Sequence, residues 1–201
     1  MILYMPTIYF SDEEWLCILK EYLNGWTEIP LNMTSGYDLD TLKFYDGFIG
    51  LLLKQTEKCL KECPNILDKS FINSWKYQGK LYRIIHAAIV QDESAEEGVS
   101  YELPKVEYHG MISHWTNDYT FKGLRHKLSA EVPYIILEAD TQDHLGFDVN
   151  KFRRKYDREK HHTEIEQEII FPMYKDCIIK EYRMSINEFV KFKQESLKGY
   201  K

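Results

Sequence analysis

Three glutamates at alternate positions near the end of the chain are the feature with the clearest chemical potential. Glu164, Glu166 and Glu168 lead into an apolar run at 169–172. On a β-strand, residues two apart point to the same face and lie about 7 Å apart, so the three carboxylates would project together. Carboxylates crowded on one face bind protons or cations more readily. A solvated sheet edge explains the same pattern without chemistry.

Two earlier segments carry polar and aromatic residues on predicted strands. Tyr82 and Arg83 stand in a stretch rich in strand-forming residues. Ser113, Trp115 and Thr116 follow about thirty positions later. Each has an ordinary structural interpretation as well: a surface ion pair for the arginine, strand hydroxyls for the serine and threonine, and core packing for the tryptophan.

These three elements, in this order, resemble the signature of the arginine-type mono-ADP-ribosyltransferases. That family has an aromatic residue before an arginine on an early strand, then a strand with serine and threonine, then a Glu-x-Glu that runs into aliphatic residues and a proline. Tyr82-Arg83, residues 110–118 and Glu166-Gln167-Glu168 match these elements. The resemblance covers roughly residues 79–182. The family's Ser-Thr-Ser is replaced by Ser113-His114-Trp115-Thr116, which changes the register of the hydroxyls.

The resemblance implies that the chain uses NAD as a substrate and breaks its nicotinamide–ribose bond. Breaking this bond builds positive charge on the ribose, as in glycoside hydrolysis, and Glu168 would bond a ribose hydroxyl and stabilise that charge. Glu166 would orient or deprotonate the acceptor, and Arg83 would hold an NAD phosphate through paired donors. The other expected NAD-binding residues, bracing the ribose or packing on nicotinamide, are Tyr82, Ser113, Trp115 and Thr116.

The resemblance makes an arginine side chain the first expectation for the acceptor, with a nucleic acid as the alternative. The segment 151–162 has six basic residues against two acidic ones. It would suit an acidic protein surface or a nucleic acid, although a solvated helix of mixed charge explains it too. Two further interpretations are an NAD glycohydrolase of the same fold and a catalytically inert binding or immunity module. A toxin, effector or defence factor is the usual setting for so small a transferase.

The dipeptide His109-Gly110 suggests two variants of this interpretation. The diphtheria-toxin-like and polymerase-like branch of the superfamily has a His-Gly near its first strand. If His109 took that part, Arg83 would lose its role, but the Glu-x-Glu is typical of the arginine-type branch. Tyr108 with His109-Gly110, together with Trp115-Thr116, is also similar to the FRG domain, which shares the same broad fold.

Composition is that of one ordinary globular domain. The chain has 201 residues and a formal net charge of −6, so its overall charge does not favour binding to nucleic acids. The start of the chain lacks a secretory signal, and no apolar run is long enough to cross a bilayer. We therefore expect a cytoplasmic protein, with export by a route that needs no cleavable signal left open. The four cysteines are expected to be free thiols, and His161-His162 lacks a third ligand, so no metal is expected.

The order of the predicted helices and strands indicates a single α+β domain. We expect residues 1–75 to be mainly helical, 76–185 mainly strands and 186–201 a C-terminal helix, and the resemblance implies an ADP-ribosyltransferase-like split β-sandwich. Capping boxes at Ser11 and Ser185 predict the first and last helix starts, and Asp40–Cys63 predicts a second helix. The remaining expected elements are strands at 80–90, 106–113, 133–139, 166–173 and 177–182, a short helix at 121–128 and a surface loop at 91–104.

Overall fold

A seven-stranded antiparallel sheet with helices before and after it organises the chain, and this confirms the expected α+β class. The sheet has the order β1-β7-β8-β5-β2-β6-β9, and β3 and β4 form a separate hairpin. The structure is a computed structural model, and it describes residues 11, 13–15, 39–62, 69–86, 88–90, 100–108, 110–125, 128–129, 131–156 and 167–198.

The helices begin where their capping residues predict. Ser185 starts the last helix, since its Oγ accepts a hydrogen bond from the Glu188 amide at 3.3 Å while the Glu188 carboxylate accepts the Ser185 amide at 2.8 Å. Ser11 and Glu14 make the same reciprocal pair at 3.3 and 2.7 Å, so both capping boxes are confirmed. The helices are α1 (Leu39–Glu62), α2 (Lys69–Asn73), α3 (Val149–Tyr156) and α4 (Ile186–Lys198).

From residue 76 onward the described residues form nine strands. They are β1 (Lys76–Tyr77), β2 (Lys80–Ile85), β3 (Ala88–Val90), β4 (Ser100–Glu102), β5 (Ile112–Thr116), β6 (Pro133–Asp140), β7 (Gly146–Asp148), β8 (Glu168–Pro172) and β9 (Ile178–Ser185). Every neighbouring pair in the sheet is antiparallel. Single-turn 3₁₀ helices stand at Lys122–Leu124 and Lys175–Cys177.

Four expected elements differ from the structure, and one of them is the surface loop expected at 91–104, which contains strand β4 at Ser100–Glu102. The strand expected at 106–113 is wrong, because 103–108 has no strand and β5 runs over 112–116. Gly110 explains the shift: its φ of +66° is a left-handed conformation that breaks an extended chain and favours glycine. The strand expected at 80–90 is two strands, β2 and β3, and the helix expected at 121–128 is reduced to the 3₁₀ turn.

Two apolar clusters cover one face of the sheet and leave a gap between them. The first lies where α1 and α3 pack near β5, β7 and β8, and it includes Ile170. The second lies under α4 near β2, β6 and β9, and it includes Tyr82. A third cluster, which includes Leu81, Trp115 and Ile169, fills the opposite face. The gap between the first two clusters falls over the middle of the sheet, where β8, β5 and β2 are neighbours.

Candidate functional site

One row of paired residues joins the three motifs. Glu168 of β8 pairs with Thr116 of β5, and Thr116 pairs with Tyr82 of β2. Directly opposite residues on antiparallel strands have side chains on the same face, with Cβ atoms about 5 Å apart. The fold thus places residues from three distant parts of the sequence in one line.

A cavity of about 170 Å³ opens at this row. Apolar side chains of Ile84, Leu124 and Leu128 form part of its wall, so charges inside it act in a medium of lower polarity than water. The residues that the sequence predicted and that line this cavity are Tyr82, Arg83, Trp115, Thr116 and Glu168.

The sheet is open between β2 and β5. β2 pairs with β6 through six residue pairs but with β5 only through Tyr82 and Thr116. Beyond that pair, Arg83 bridges the opening by donating a hydrogen bond from Nη1 to the His114 carbonyl oxygen at 2.6 Å. Alternation along β2 places Arg83 on the face opposite to Tyr82, so its guanidinium reaches the cavity through this opening.

Arg83 is a partly buried cation with unmet hydrogen-bonding capacity. Burial lowers the pKa of its guanidinium from the ordinary arginine value. Its Nε is inaccessible to solvent and has no hydrogen-bond partner, and no carboxylate pairs with it within the described part of the chain. A buried donor without a partner costs about 1–3 kcal/mol, which an anion in the cavity would offset.

Glu168 is held by a residue that the sequence motifs did not predict for the site. His114 Nδ1 lies 2.5 Å from Glu168 Oε1, and the two side chains are 34% and 12% exposed. Among the described residues this is the only hydrogen bond to the Glu168 carboxylate, and Oε2 accepts none. The signal was available: His114 stands two positions before Thr116 and therefore shares its face.

Ser113 and Trp115 belong mainly to the opposite face of the sheet. The Ser113 hydroxyl is buried and contacts Met173 Sδ at 3.8 Å, and Ser113 does not line the cavity. The Trp115 indole donates to the Phe171 carbonyl at 3.0 Å within the third cluster, although the residue touches the cavity wall. The structure therefore does not bring Ser113 to the row, and Thr116 supplies the hydroxyl there.

Tyr82 joins the cavity to the core under α4. Its ring is 5% exposed and packs against Tyr119, Phe121 and Phe189. Burial, followed by the nearby Glu138 carboxylate, raises the pKa of Tyr82 to about 12. The phenol is therefore neutral at physiological pH.

The second expected catalytic glutamate, Glu166, lies outside the described residues, as do Glu164, His109 and the part of the basic segment at 157–162. β8 begins at Glu168, and Gln167 before it has a φ of 49°.

A second, polar cavity of about 400 Å³ adjoins the first. Asn117, which follows Thr116, and Gln167, which precedes Glu168, both line it, with Asp148, Asn150 and Arg154 completing its wall. Burial raises the pKa of Asp148, although the Lys151 amide bonds its carboxylate at 2.8 Å. The side-chain oxygen of Asn150, a residue 4% exposed, has no hydrogen-bond partner.

One group of side chains in the described part of the chain has metal-ligand chemistry. His144, Asp176 and Cys177 bring their ligand atoms within 4.8 Å of one another. Burial, followed by the Asp176 carboxylate, raises the pKa of the Cys177 thiol to about 11. We assign no metal to this group, which shares no residue with either cavity.

Comparisons with known proteins yield no match: no family model fits the sequence, and no curated protein or solved structure matches the chain. Among the described helices, none has the length and apolar character needed to cross a bilayer.

Proposed function

We propose that this protein is a mono-ADP-ribosyltransferase, which moves ADP-ribose from NAD to an acceptor and releases nicotinamide. The observation that supports the proposal is the shared cavity of Tyr82, Arg83, Thr116 and Glu168 on three neighbouring strands. A split β-sandwich is the fold that goes with this activity, and the opening of the sheet between β2 and β5 is compatible with it.

Glu168 is suited to stabilising positive charge on a ribose. Its carboxylate is 12% exposed, and a preorganised anion in a poorly solvated site interacts strongly with charge that develops in the transition state. Oε2 is available to a ribose hydroxyl. Nicotinamide leaves as a neutral molecule with the electron pair of the broken carbon–nitrogen bond, and the acceptor forms its bond to the same carbon and loses a proton.

Arg83 is suited to the pyrophosphate of NAD. Its free Nε–H and its planar guanidinium offer donors that match phosphate oxygens. Because no acidic side chain of the described residues neutralises it, its charge is available to a ligand. Its tie to the His114 carbonyl fixes one nitrogen beside the row that carries Glu168.

The volume of the first cavity limits what it can enclose. At about 170 Å³ it is smaller than the roughly 300–1,000 Å³ of typical small-molecule sites, so it fits one end of the dinucleotide, which we take to be the nicotinamide riboside. The acceptor is an arginine side chain by resemblance. Asp148, a carboxylate on the wall of the adjoining polar cavity, is a group that a guanidinium could bond.

The proposal is tested by measuring nicotinamide release from NAD by the pure protein, beside Glu168→Gln, with and without an arginine analogue. We expect release by the wild type, a loss of at least about 100-fold in the variant, and stimulation by the analogue with labelled ADP-ribose attached to it. Release that leaves all the label as free ADP-ribose would indicate a glycohydrolase. No release and no NAD binding by calorimetry would contradict the proposal and favour an inert module.

A further inference from the structure

We propose that His114 is the positioning residue for the Glu168 carboxylate: its Nδ1–H holds Oε1 and leaves Oε2 for the substrate. The assignment of a ribose hydroxyl as the partner of Oε2 rests on the proposed function. The pairing itself rests only on the geometry of the strands.

Strand geometry sets the two side chains beside each other. His114 pairs with Ile170, and Thr116 pairs with Glu168, so His114 and Glu168 are diagonal neighbours on the same face. Nδ1 and Oε1 lie 2.5 Å apart, within hydrogen-bonding distance, and a hydrogen bond that involves a charged group is stronger than one between neutral groups. A carboxylate oxygen accepts hydrogen bonds when ionised, so Nδ1 carries the proton.

The same residue also anchors Arg83. The His114 carbonyl oxygen accepts Arg83 Nη1 at 2.6 Å, while the His114 imidazole bonds Glu168. β5 is paired to β8 over five residue pairs, so the backbone at His114 is fixed. Arg83 and Glu168 make no ion pair with each other in the described structure, and each retains capacity for a ligand.

A purely structural ion pair would look different. Such a pair usually satisfies every lone pair of the buried carboxylate, because an unmet buried acceptor is costly. Among the residues that the structure describes, one Glu168 oxygen is bonded and the other accepts no hydrogen bond, and the imidazole beside it is 34% exposed at the cavity. The hydrogen bond from His114 thus fixes the orientation of the Glu168 carboxylate and leaves Oε2 able to accept a hydrogen bond from a ligand.

The pairing is tested first without any turnover. In the ¹⁵N-labelled protein we expect a slowly exchanging imidazole Nδ1 proton at low field, assigned to His114 by its loss in His114→Asn. It should also disappear in Glu168→Ala, with far-UV circular dichroism confirming that the variant is folded. A protein without this resonance, or a resonance that persists in Glu168→Ala, overturns the inference.

Its consequence for catalysis is tested by three substitutions at one position. His114→Leu should lower kcat for nicotinamide release about 10- to 100-fold and change KM for NAD less than about threefold, because orientation acts mainly in the transition state. His114→Asn should recover most of kcat, since its amide nitrogen is bonded to Cγ as Nδ1 is. His114→Gln, whose nitrogen is one bond further out, should resemble the leucine variant.

The matched control is His144→Leu, which removes another histidine that contacts a glutamate, 3.4 Å away, and should leave kcat unchanged. Equal kcat values for wild type and His114→Leu, or for His114→Asn and His114→Leu, would overturn the positioning role. A wild type that neither binds nor consumes NAD would refute the proposed function instead, and the imidazole resonance would still decide the pairing.

Discussion

Glu168 and Glu138 lie in the same row across the sheet, and they differ in the number of hydrogen bonds that their carboxylates accept from the described residues. Glu168 pairs with Thr116, Thr116 with Tyr82, and Tyr82 with Glu138. Glu138 is 3% exposed and accepts hydrogen bonds from Lys80, Lys193 and Tyr182, with Lys193 Nζ 2.9 Å from both of its oxygens. Glu168 has one side-chain partner, His114, within the described parts of the chain. Two similar positions in the sheet thus carry a saturated carboxylate and an available one.

The surroundings of the two carboxylates explain the difference. Around Glu138 the sheet is paired on both sides, because β2 pairs with β6 through six residue pairs and β6 with β9 through seven, with a register shift between Glu138 and Ala139. Around Glu168 the sheet opens between β5 and β2 after a single pair. A closed ladder with a helix packed near it leaves room only for protein donors, whereas the opening admits a ligand. Continuity of the sheet therefore separates a stabilising carboxylate from a candidate catalytic one.

The largest expected effect is that of Glu168→Gln on activity. We expect nicotinamide release to fall about 1,000-fold, equivalent to about 4 kcal/mol in the transition state. The midpoint of thermal unfolding should change by less than about 2 °C, because only one hydrogen bond is altered. Measuring both quantities on the same preparation is the check. A variant that loses stability and activity together would show that Glu168 is as structural as Glu138.

Glu138→Gln should show the opposite pattern. The substitution leaves Lys193, 13% exposed in its side chain, without its anion, and removing one partner of a buried pair costs about 3 kcal/mol or more of unfolding free energy. Well below the unfolding midpoint, nicotinamide release per folded molecule should stay within about twofold. Chemical denaturation and the release assay measure the two effects. Lys80→Met is the matched control, since Lys80 is 58% exposed and its loss should cost less than about 1 kcal/mol.

Arg83→Lys tests the same site through its affinity for NAD. Lysine keeps the charge but loses the planar fork and the second donor, so the Kd for NAD measured by calorimetry should rise about tenfold, or about 1.4 kcal/mol. The rate at saturating NAD should change much less. Unchanged NAD affinity would remove the argument that the unpaired Nε marks a phosphate site.

Local patterns in the sequence predicted many of the elements. Capping boxes placed the starts of two helices, and Pro133–Ala139, rich in strand formers, lies within β6. These signals depend on residues a few positions apart. They misplaced β5, because apolar residues on both sides of Gly110 resemble one strand while the chain turns at that glycine.

The site was predicted only in its residue types. Tyr82, Arg83 and Glu168 were selected, but their arrangement depends on the register between β8, β5 and β2 and on the gap beside Arg83, which are set by tertiary packing. Ser113 was favoured over His114 because the family motif centres on serine. The register of β5 turns Ser113 to the opposite face and His114 to the cavity.

The dependence of stability on pH offers a finer test of the same contrast. Burial raises the pKa of Glu138, but hydrogen bonds from Lys193 and Tyr182 outweigh it and hold the pKa below the ordinary glutamate value of 4.5. A carboxyl with a lowered folded-state pKa contributes stability that is complete above the unfolded-state pKa and is lost as pH falls through the folded-state value. Denaturation from pH 7 downward should therefore show the difference in unfolding free energy between wild type and Glu138→Gln narrowing below about pH 4.5. A difference in unfolding free energy that stays constant with pH would contradict the assignment of this stability to the ionised Glu138 carboxylate.

The smallest expected effect distinguishes the two hydroxyls of β5. Thr116→Val keeps the shape of a side chain that lies between Tyr82 and Glu168 but removes its hydroxyl, which accepts the Asp118 amide at 3.1 Å at the edge of the cavity, so nicotinamide release should fall about three- to tenfold, or about 1 kcal/mol. Ser113→Ala alters the opposite face, where the hydroxyl contacts Met173 Sδ, and should leave release within about twofold. The ratio of the two effects decides which face carries the chemistry. A larger loss in Ser113→Ala would mean that the serine of the family motif keeps its role despite the register of β5, and that the row through Thr116 is structural.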